Sequence, residues 1–478
     1  MEELLSASSL SAIHQAVINR KCSVRDIASW YVARIEAFGM AGGLNAVRVL
    51  SPRVMEQAQE LDNETSAGRI RGPLHGIPVL LKDNILTGDG MSAAAGAAAL
   101  LDFTPKRDAT LVSRLRNAGA LILGKTNLTE FADYVSDVMP SGFSGAGGMV
   151  KNPHGKQDYG RGLGSSVGSA AGVAAALAPV AIGSETQNSI QTPASVTSVY
   201  GFKPSVGRVS RAGVVPLVPS QDSPGLLARS MDDIMRVMPV IACADCRDSM
   251  TIPAAIGSLG KLHRRDAGTI RIGVPRRTIA DRADLQGVMA QFEAVLSELS
   301  KHGVTIVDPC DLPAAEQLQD VRSSVFRTEF KAALNAFLAE NDSPCGIDSI
   351  DTLIRWNAKK PSAIPYGQSL LIAAAETKGL CDPVYLADRR RDIALSRQSG
   401  IDAALHHAQA DALIVPMTAA AKCTGKAGAP VLAIPAGLDG KGQPFGVTLL
   451  TAMGEDETLL AIGASFAAII GDRVVPKL

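Results

Sequence analysis

Residues 160–204 read GRGLGSSVGSAAGVAAALAPVAIGSETQNSIQTPASVTSVYGFKP. Two hydroxyl clusters, Ser165-Ser166 and Ser189, are joined by a run of small and aliphatic residues. Small residues let backbones approach closely, and glycine also reaches shapes closed to other residues. A chain that sets serines among glycine and alanine is either packing backbone tightly or presenting hydroxyls and N–H groups to a ligand. Composition alone favours tight packing, a small-residue helix with its flanking turns. The upstream stretch GPLHGIPVLLKDNI favours the second reading, because there Lys82 follows an apolar, strand-like run.

Working outward, Ser169 to Leu177 reads as a helix of small residues and Val180 to Ile182 as a short strand. Ile77 to Leu81 and Ala120 to Leu123 read as buried strands, with an amphipathic helix (DATLVSRLRNA, 108–118) between them. Earlier in the chain, Leu10, Ile13, Val17 and Ile18 recur at helical spacing. Ser23 fits an N-cap with Asp26 in the first turn and a helix running from Ile27 to Phe38. Residues 52–67 are polar and helical until Gly72-Pro73 breaks the pattern. The middle, about 235–410, carries helical stretches at 284–301, 315–340 and 383–408 and a strand at Ile270 to Val274. Leu413 to Val415 and Val431 to Ile434 look like late core strands, followed by a hairpin-like turn at 438–442 and a closing helix over 454–471. Strands alternating with helices imply an α/β sandwich with a largely parallel or mixed sheet.

Length alone would suggest roughly two to four domains. No repeat and no long Pro/Ser linker divides the chain, however. The expected organisation is one large domain: N-terminal helices (1–70), a core (72–230), a helical insertion (about 235–410) and C-terminal core strands with a helix (411–478).

The 478 residues carry 47 basic and 47 acidic side chains, so there is no electrostatic footprint for nucleic acid or an anionic membrane. The start is acidic and no apolar run follows, which argues against a secretory signal. No stretch reaches the roughly 18 apolar residues of a membrane span. Seven scattered cysteines do not read as a disulfide framework. The expectation is a soluble, cytoplasmic protein.

Several motif matches fail on physical grounds. Gly119 to Thr126 (GALILGKT) satisfies the phosphate-loop pattern letter for letter. Its interior is the apolar core of a strand, and a strand cannot wrap a phosphate. Cys243 and Cys246 form a lone pair without further ligands, so no zinc site is expected. His406 and His407 are adjacent and would point in different directions on a helix, as surface residues. Arg389-Arg390-Arg391 follows Asp388 and reads as a solvated helix face.

With Lys82, Ser165 and Ser189 in view, the sequence resembles the amidase signature family of serine hydrolases. The likeness runs through GPLHGIPVLLKDN, GKTNLTEFA, GSSVGSA, YGFKPSVGRVSRAGVVPLVPSQDSPG and PVLAIPAGLDGKGQPFGVTLL, nearly the whole chain. It implies a single α/β/α domain around a large mixed sheet. It also implies a catalytic lysine at Lys82, a bridging serine at Ser165 held by a non-proline cis peptide, and a nucleophile at Ser189. The twenty-four-residue gap between the serines agrees with the family pattern. Ser166 would add a hydrogen bond, with Gly164 and Gly168 easing the loop geometry. The backbone N–H groups around Thr186, Gln187 and Asn188 would form an oxyanion hole.

The residue types suit this chemistry. A serine hydroxyl needs an adjacent base, and a serine–lysine arrangement is one recurring solution. Lysine acts as a base only when neutral, and burial disfavours its charged form.

The chain departs from the family at three places. Gln187 and Asn188 stand where two glycines are common, Gln191 replaces an arginine, and Val167 replaces a glycine. The missing arginine weighs against the glutamine-hydrolysing subunit of a tRNA amidotransferase. The ETxxSI and VPLVPSQDSPG segments look like the peptide amidase branch.

The expected function is hydrolysis of a carboxamide C–N bond through an acyl-enzyme on Ser189, with no cofactor and no metal. A small-molecule or peptide amide would be the substrate, with no nucleic acid or membrane partner and a homodimer left open. The alternatives are a catalytically weak amidase-fold scaffold and the glutamine-hydrolysing component of an amidotransferase. Acyl-pocket residues are expected from 134–160 and 310–380.

Overall fold

Apolar runs bounded by glycine and proline become the strands of one sheet. The structure is a computed structural model describing residues 2–478 except 8, 156–158, 252–258, 260–261, 281, 342–345 and 471–472. Parts of both expected acyl-pocket ranges, and the last residue of the expected closing helix, therefore lie outside the described residues.

In chain order the strands are β1 (Val47–Leu50), β2 (Pro78–Lys82), β3 (Leu121–Thr126), β4 (Phe143–Ser144), β5 (Gly148–Met149), β6 (Val180–Glu185) and β7 (Tyr200–Lys203). They continue as β8 (Ser223–Ala228), β9 (Arg271–Gly273), β10 (Thr305–Val307), β11 (Ala412–Pro416), β12 (Val431–Leu438) and β13 (Pro444–Leu450). Eleven of them form one sheet in the order β1-β3-β2-β6-β8-β7-β12-β13-β11-β9-β10, and β4 and β5 make a separate ribbon.

The sheet is mixed. β2 runs parallel to β3 and β6, whereas β6, β8, β7, β12 and β13 pair antiparallel in succession. Every residue of β2, β3, β6, β8 and β13 is buried, with no alternation between faces. Such a pattern requires both faces to be covered. This is the single α/β/α domain around a mixed sheet that the resemblance implied.

Several boundaries differ from those read off the sequence. β3 begins one residue later than expected and runs on through Gly124-Lys125-Thr126, because β1 pairs with that end. Gly124 is required there, since a Cβ would lie 2.3 Å from the Val49 carbonyl oxygen. The phosphate-loop match is thus sheet, as expected, and the fully buried Lys125 lies near the Asp83–Arg48 ion pair rather than at a phosphate site. The helix after Ser23 starts at Val24, fixed by a reciprocal Ser23–Asp26 capping box. The middle segment is helical but also supplies β9 and β10 to the sheet edge.

From that segment, the helix Val325–Glu340 packs over a second apolar cluster. Phe330 lies 6.0 Å from the Phe131 ring and 5.1 Å from the Tyr134 ring. Among the described residues, no helix is long and apolar enough to cross a membrane.

Candidate active site

Lys82 ends β2, an interior strand between β3 and β6, and is fully buried. Its Nζ donates to Ser165 Oγ at 2.6 Å, to Ser184 Oγ at 3.0 Å and to the Ser184 carbonyl at 3.1 Å. The parallel register brings these groups together, since Leu81 pairs with Ile182 and both strands then end on the same side. Asn84 Nδ2 donates to Ser184 Oγ at 2.9 Å. Burial pulls the lysine down from 10.5 to about 7, against the opposing pull of the Asp222, Glu185 and Asp133 carboxylates. An ammonium with no adjacent countercharge is expensive at such a site, so a large share of the amine is neutral at pH 7, and in that form Nζ keeps two N–H donors and can accept the Ser165 O–H.

The loop carrying Ser165 turns at Gly164, whose φ of +84° suits glycine. A Cβ there would also lie 2.7 Å from the Asn188 carbonyl. Thr129 fastens this loop: its N–H donates to the Ser165 carbonyl and its hydroxyl to the Gly164 carbonyl. The cis peptide expected at Ser165 is not found. Among the described residues the cis bond is Asp308–Pro309. The left-handed turn at Gly164 delivers the Ser165 hydroxyl to Lys82 without a cis bond. Gly168 plays a different part from the one expected, because a Cβ there would collide with the carbonyls of Asn127 and Ala46. Ser166 makes the additional hydrogen bonds expected of it. Its hydroxyl donates to the Ser184 carbonyl at 3.0 Å and accepts from the Ser184 N–H at 3.2 Å, closing the end of β6.

Ser189 lies four residues past the end of β6, nearly buried, and its carbonyl accepts the Ser166 N–H at 3.0 Å. The two serine loops are therefore tied backbone to backbone. Glu185, the last residue of β6, holds the turn from the other side. One carboxylate oxygen accepts the N–H groups of Ile190 (2.6 Å) and Gln191 (2.9 Å), and the other accepts Gln191 Nε2 at 2.7 Å. A carboxylate at the start of the helix Gln191–Val196 satisfies N–H groups that have no intrahelical partner. The Ser189 hydroxyl makes no hydrogen bond to a described residue, and the backbone N–H groups of Gln187, Asn188 and Ser189 donate to none either. The turn thus presents a hydroxyl and three uncommitted amides in succession.

The departures at Gln187, Asn188 and Gln191 have physical accounts. Neither Gln187 nor Asn188 adopts positive φ, so this turn does not need glycine. Asn188 Nδ2 donates to the Gly162 carbonyl at 2.6 Å and Gln187 Nε2 to Gln221 Oε1 at 3.4 Å. Space for Gln187 comes from the facing helix Ala421–Ala427, where a Cβ on Gly425 would lie 2.5 Å from Gln187 Cγ. Gln191 bridges Glu185 and the Gln187 carbonyl, each at 2.7 Å. Thr186 turns aside and donates to Asp222 at 2.6 Å.

A cleft of about 320 Å³ opens beside these groups, with Asn84, Ser184 and Thr186 at its inner end. Val215, Leu217, Ala336 and Phe337 give it apolar walls, and Arg211, Asp248 and Glu340 add charge. Ser189 itself is not part of that lining. Asp133 stands on the Lys82 side of the site, where burial pushes its carboxyl up to about 7 and the Lys82 charge pulls it down.

The structure thus places Lys82 against Ser165 and ties the Ser166 amide to the Ser189 carbonyl at the end of the 186–189 turn. Sequence reasoning missed Ser184, Asn84, Glu185, Asp222 and Asp133. Of these, only Glu185 carried a visible signal, an acidic residue ending an apolar strand just before a helix. Among the described residues no cluster of three or more histidine, cysteine, aspartate or glutamate side chains could hold a metal.

A model of the Amidase family matches residues 26–426. The chain belongs to the amidase signature family, and it is a hydrolase acting on amides. It is 34% identical to a peptide amidase solved with the competitive inhibitor chymostatin, the two covering 99% of each other with a TM-score of 0.91. A putative amidase of Arthroderma benhamiae is 30% identical, over 91% of this chain and 77% of its own length. The A component of glutamyl-tRNA(Gln) amidotransferase from Ralstonia pickettii is 31% identical over 97% of both chains.

Proposed function

We propose that this amidase cleaves a carboxamide C–N bond, giving carboxylate plus ammonia or amine, through an acyl-enzyme on Ser189. Ser165 bridges Ser189 to the base Lys82. The observation that carries this reading is the 2.6 Å contact between Lys82 Nζ and Ser165 Oγ at a fully buried lysine.

Neutral Lys82 takes the Ser165 proton as Ser165 takes that of Ser189, and Ser189 Oγ attacks the substrate carbonyl. Negative charge then develops on the carbonyl oxygen. The uncommitted N–H groups of 187–189 are the donors available to it, each worth about 2.7–4 kcal/mol in comparable enzymes. Collapse breaks the C–N bond, and the leaving nitrogen receives its proton from Ser165, which is reprotonated by Lys82. Water entering along the same relay then releases the acid. Ser189, Ser165 and Lys82 are the catalytic residues, Thr186, Gln187 and Asn188 bound the oxyanion side, and Ser166 holds the strand end.

Labelling with a fluorophosphonate or sulfonyl fluoride, mapped by mass spectrometry, tests the reading. The adduct should fall on Ser189, and Ser189→Ala should lose both label and turnover while remaining folded. Full turnover in that variant would overturn it. A scaffold would be neither labelled nor active. A glutaminase would be labelled but would turn over glutamine in preference to other primary amides and amidated peptides.

A further inference from the structure

Three consecutive residues at the edge of the site, Phe131, Ala132 and Asp133, hold φ values of 44°, 58° and 76°. Left-handed backbone is tolerated by aspartate but strained for phenylalanine and alanine, and a run of three persists only where the surroundings over-determine it. Here the surroundings are visible. Phe131 and Tyr134 pack edge-on against Phe330, Tyr134 also meets Phe326 at 5.8 Å, and the Phe131 N–H donates to the Ala95 carbonyl. The strained turn fixes the direction of the Asp133 side chain.

That side chain joins the machinery through one hydroxyl. Ser141 Oγ donates to Asp133 Oδ2 at 3.3 Å and accepts the N–H of Leu163, two residues before Ser165. Neighbouring Ala132 lines the same cleft as Ser184 and Thr186. Asp133 is close enough to Lys82 for each charge to shift the other. Among the described residues, Oδ1 accepts no hydrogen bond and no cation pairs with the carboxylate. A carboxylate held by strain beside a catalytic lysine, with one oxygen uncommitted, is arranged to accept a donor from outside the protein.

We propose that Asp133 determines specificity by accepting a hydrogen bond from the leaving nitrogen of the substrate amide. The assignment rests on the Ser189–Ser165–Lys82 reading, in which that nitrogen takes its proton from Ser165. Asp133 is tied through Ser141 to the loop that carries Ser165, so its carboxylate flanks the group from which that nitrogen takes its proton. A primary carboxamide carries N–H groups at this position and gains another as it leaves. An ester of the same acid presents only oxygen there, which the carboxylate repels. The residue thus favours amides over esters that would form the identical acyl-enzyme.

The test compares kcat/KM for a primary amide and the methyl ester of one acid, since this ratio reports acylation and excludes the shared deacylation step. In Asp133→Ala the amide value should fall about tenfold or more, as expected for loss of a hydrogen bond to a charged group. The ester value should change far less. Asp133→Asn, whose carbonyl oxygen still accepts, should recover part of the amide rate. Equal loss on both substrates would make Asp133 merely structural and overturn the proposal, as would an unchanged amide rate. Failure of the underlying reading looks different, because wild-type protein would then acquire no label on Ser189 and Ser189→Ala would still cleave both substrates.

Discussion

Replacing Lys82 by methionine keeps the length of the side chain and removes its proton. Burial lowers the folded-state pKa from 10.5 to about 7. One pKa unit corresponds to about 1.4 kcal/mol. Between those two values the unfolded chain binds a proton that the folded chain refuses, so wild-type stability rises with pH across the window. Below about 7 the whole penalty, on the order of 4–5 kcal/mol, opposes folding, and above 10.5 it is gone. Lys82→Met escapes the penalty but loses the hydrogen bonds to Ser165 Oγ, Ser184 Oγ and the Ser184 carbonyl, each worth about 0.5–1.5 kcal/mol. Inactive Lys82→Met should therefore be more stable than wild type near neutral pH, by up to about 3 kcal/mol. That advantage should shrink by about 1.4 kcal/mol per unit as pH rises. Urea unfolding of both proteins across this range measures the difference, in which Lys125 and Lys203, common to both, largely cancel. It is best read on the alkaline side of the Asp133 titration. A difference that stays flat with pH would show that Lys82 is charged in the folded protein, and the argument for its role as base would fail.

Two further outcomes follow from the same geometry. The acid limb of kcat/KM against pH should have its midpoint near 7, with activity rising as Lys82 loses its proton; a limb near the ordinary lysine value would contradict this. Gly425→Ala should crowd Gln187 Cγ and the Thr186 carbonyl, costing about 1–3 kcal/mol in urea unfolding and slowing Ser189 labelling. Adding Gln187→Ala should restore part of both, the crowding of the Thr186 carbonyl remaining, and additive losses would show that the two side chains do not compete for that space.

Strands with uninterrupted apolar runs were legible: β2, β3, β6, β11 and β12 all lie where Val, Ile and Leu cluster. β8 was not, although it sits at the centre of the sheet, because its Ser223-Pro224-Gly225 opening carries turn residues. Gly225 is there for proximity, as a Cβ would meet the Phe202 carbonyl of β7 at 2.3 Å. Lys82, Ser165 and Ser189 were readable through their sequence neighbourhoods. Ser184 was not, because its contact with Lys82 depends on the parallel register of β2 and β6. Asp133 was hidden for another reason: aspartate tolerates left-handed backbone, but neither Phe131 nor Ala132 before it announces such a turn. The strain is imposed from outside by the helix Val325–Glu340.

That helix has an evolutionary consequence. The lysine and both serines come from residues 82–189, anchored on the neighbouring strands β2 and β6, whereas Ala333, Ala336, Phe337 and Glu340 form one wall of the cleft. The residues around the reacting amide and those of the far wall thus lie in separate stretches of chain that meet across a gap. Drift in the second stretch can re-shape the acceptable acyl group while the proton relay is inherited intact. The exception is the edge-on packing of Phe330 on Phe131 and Tyr134, through which a change in the wall would reach Asp133.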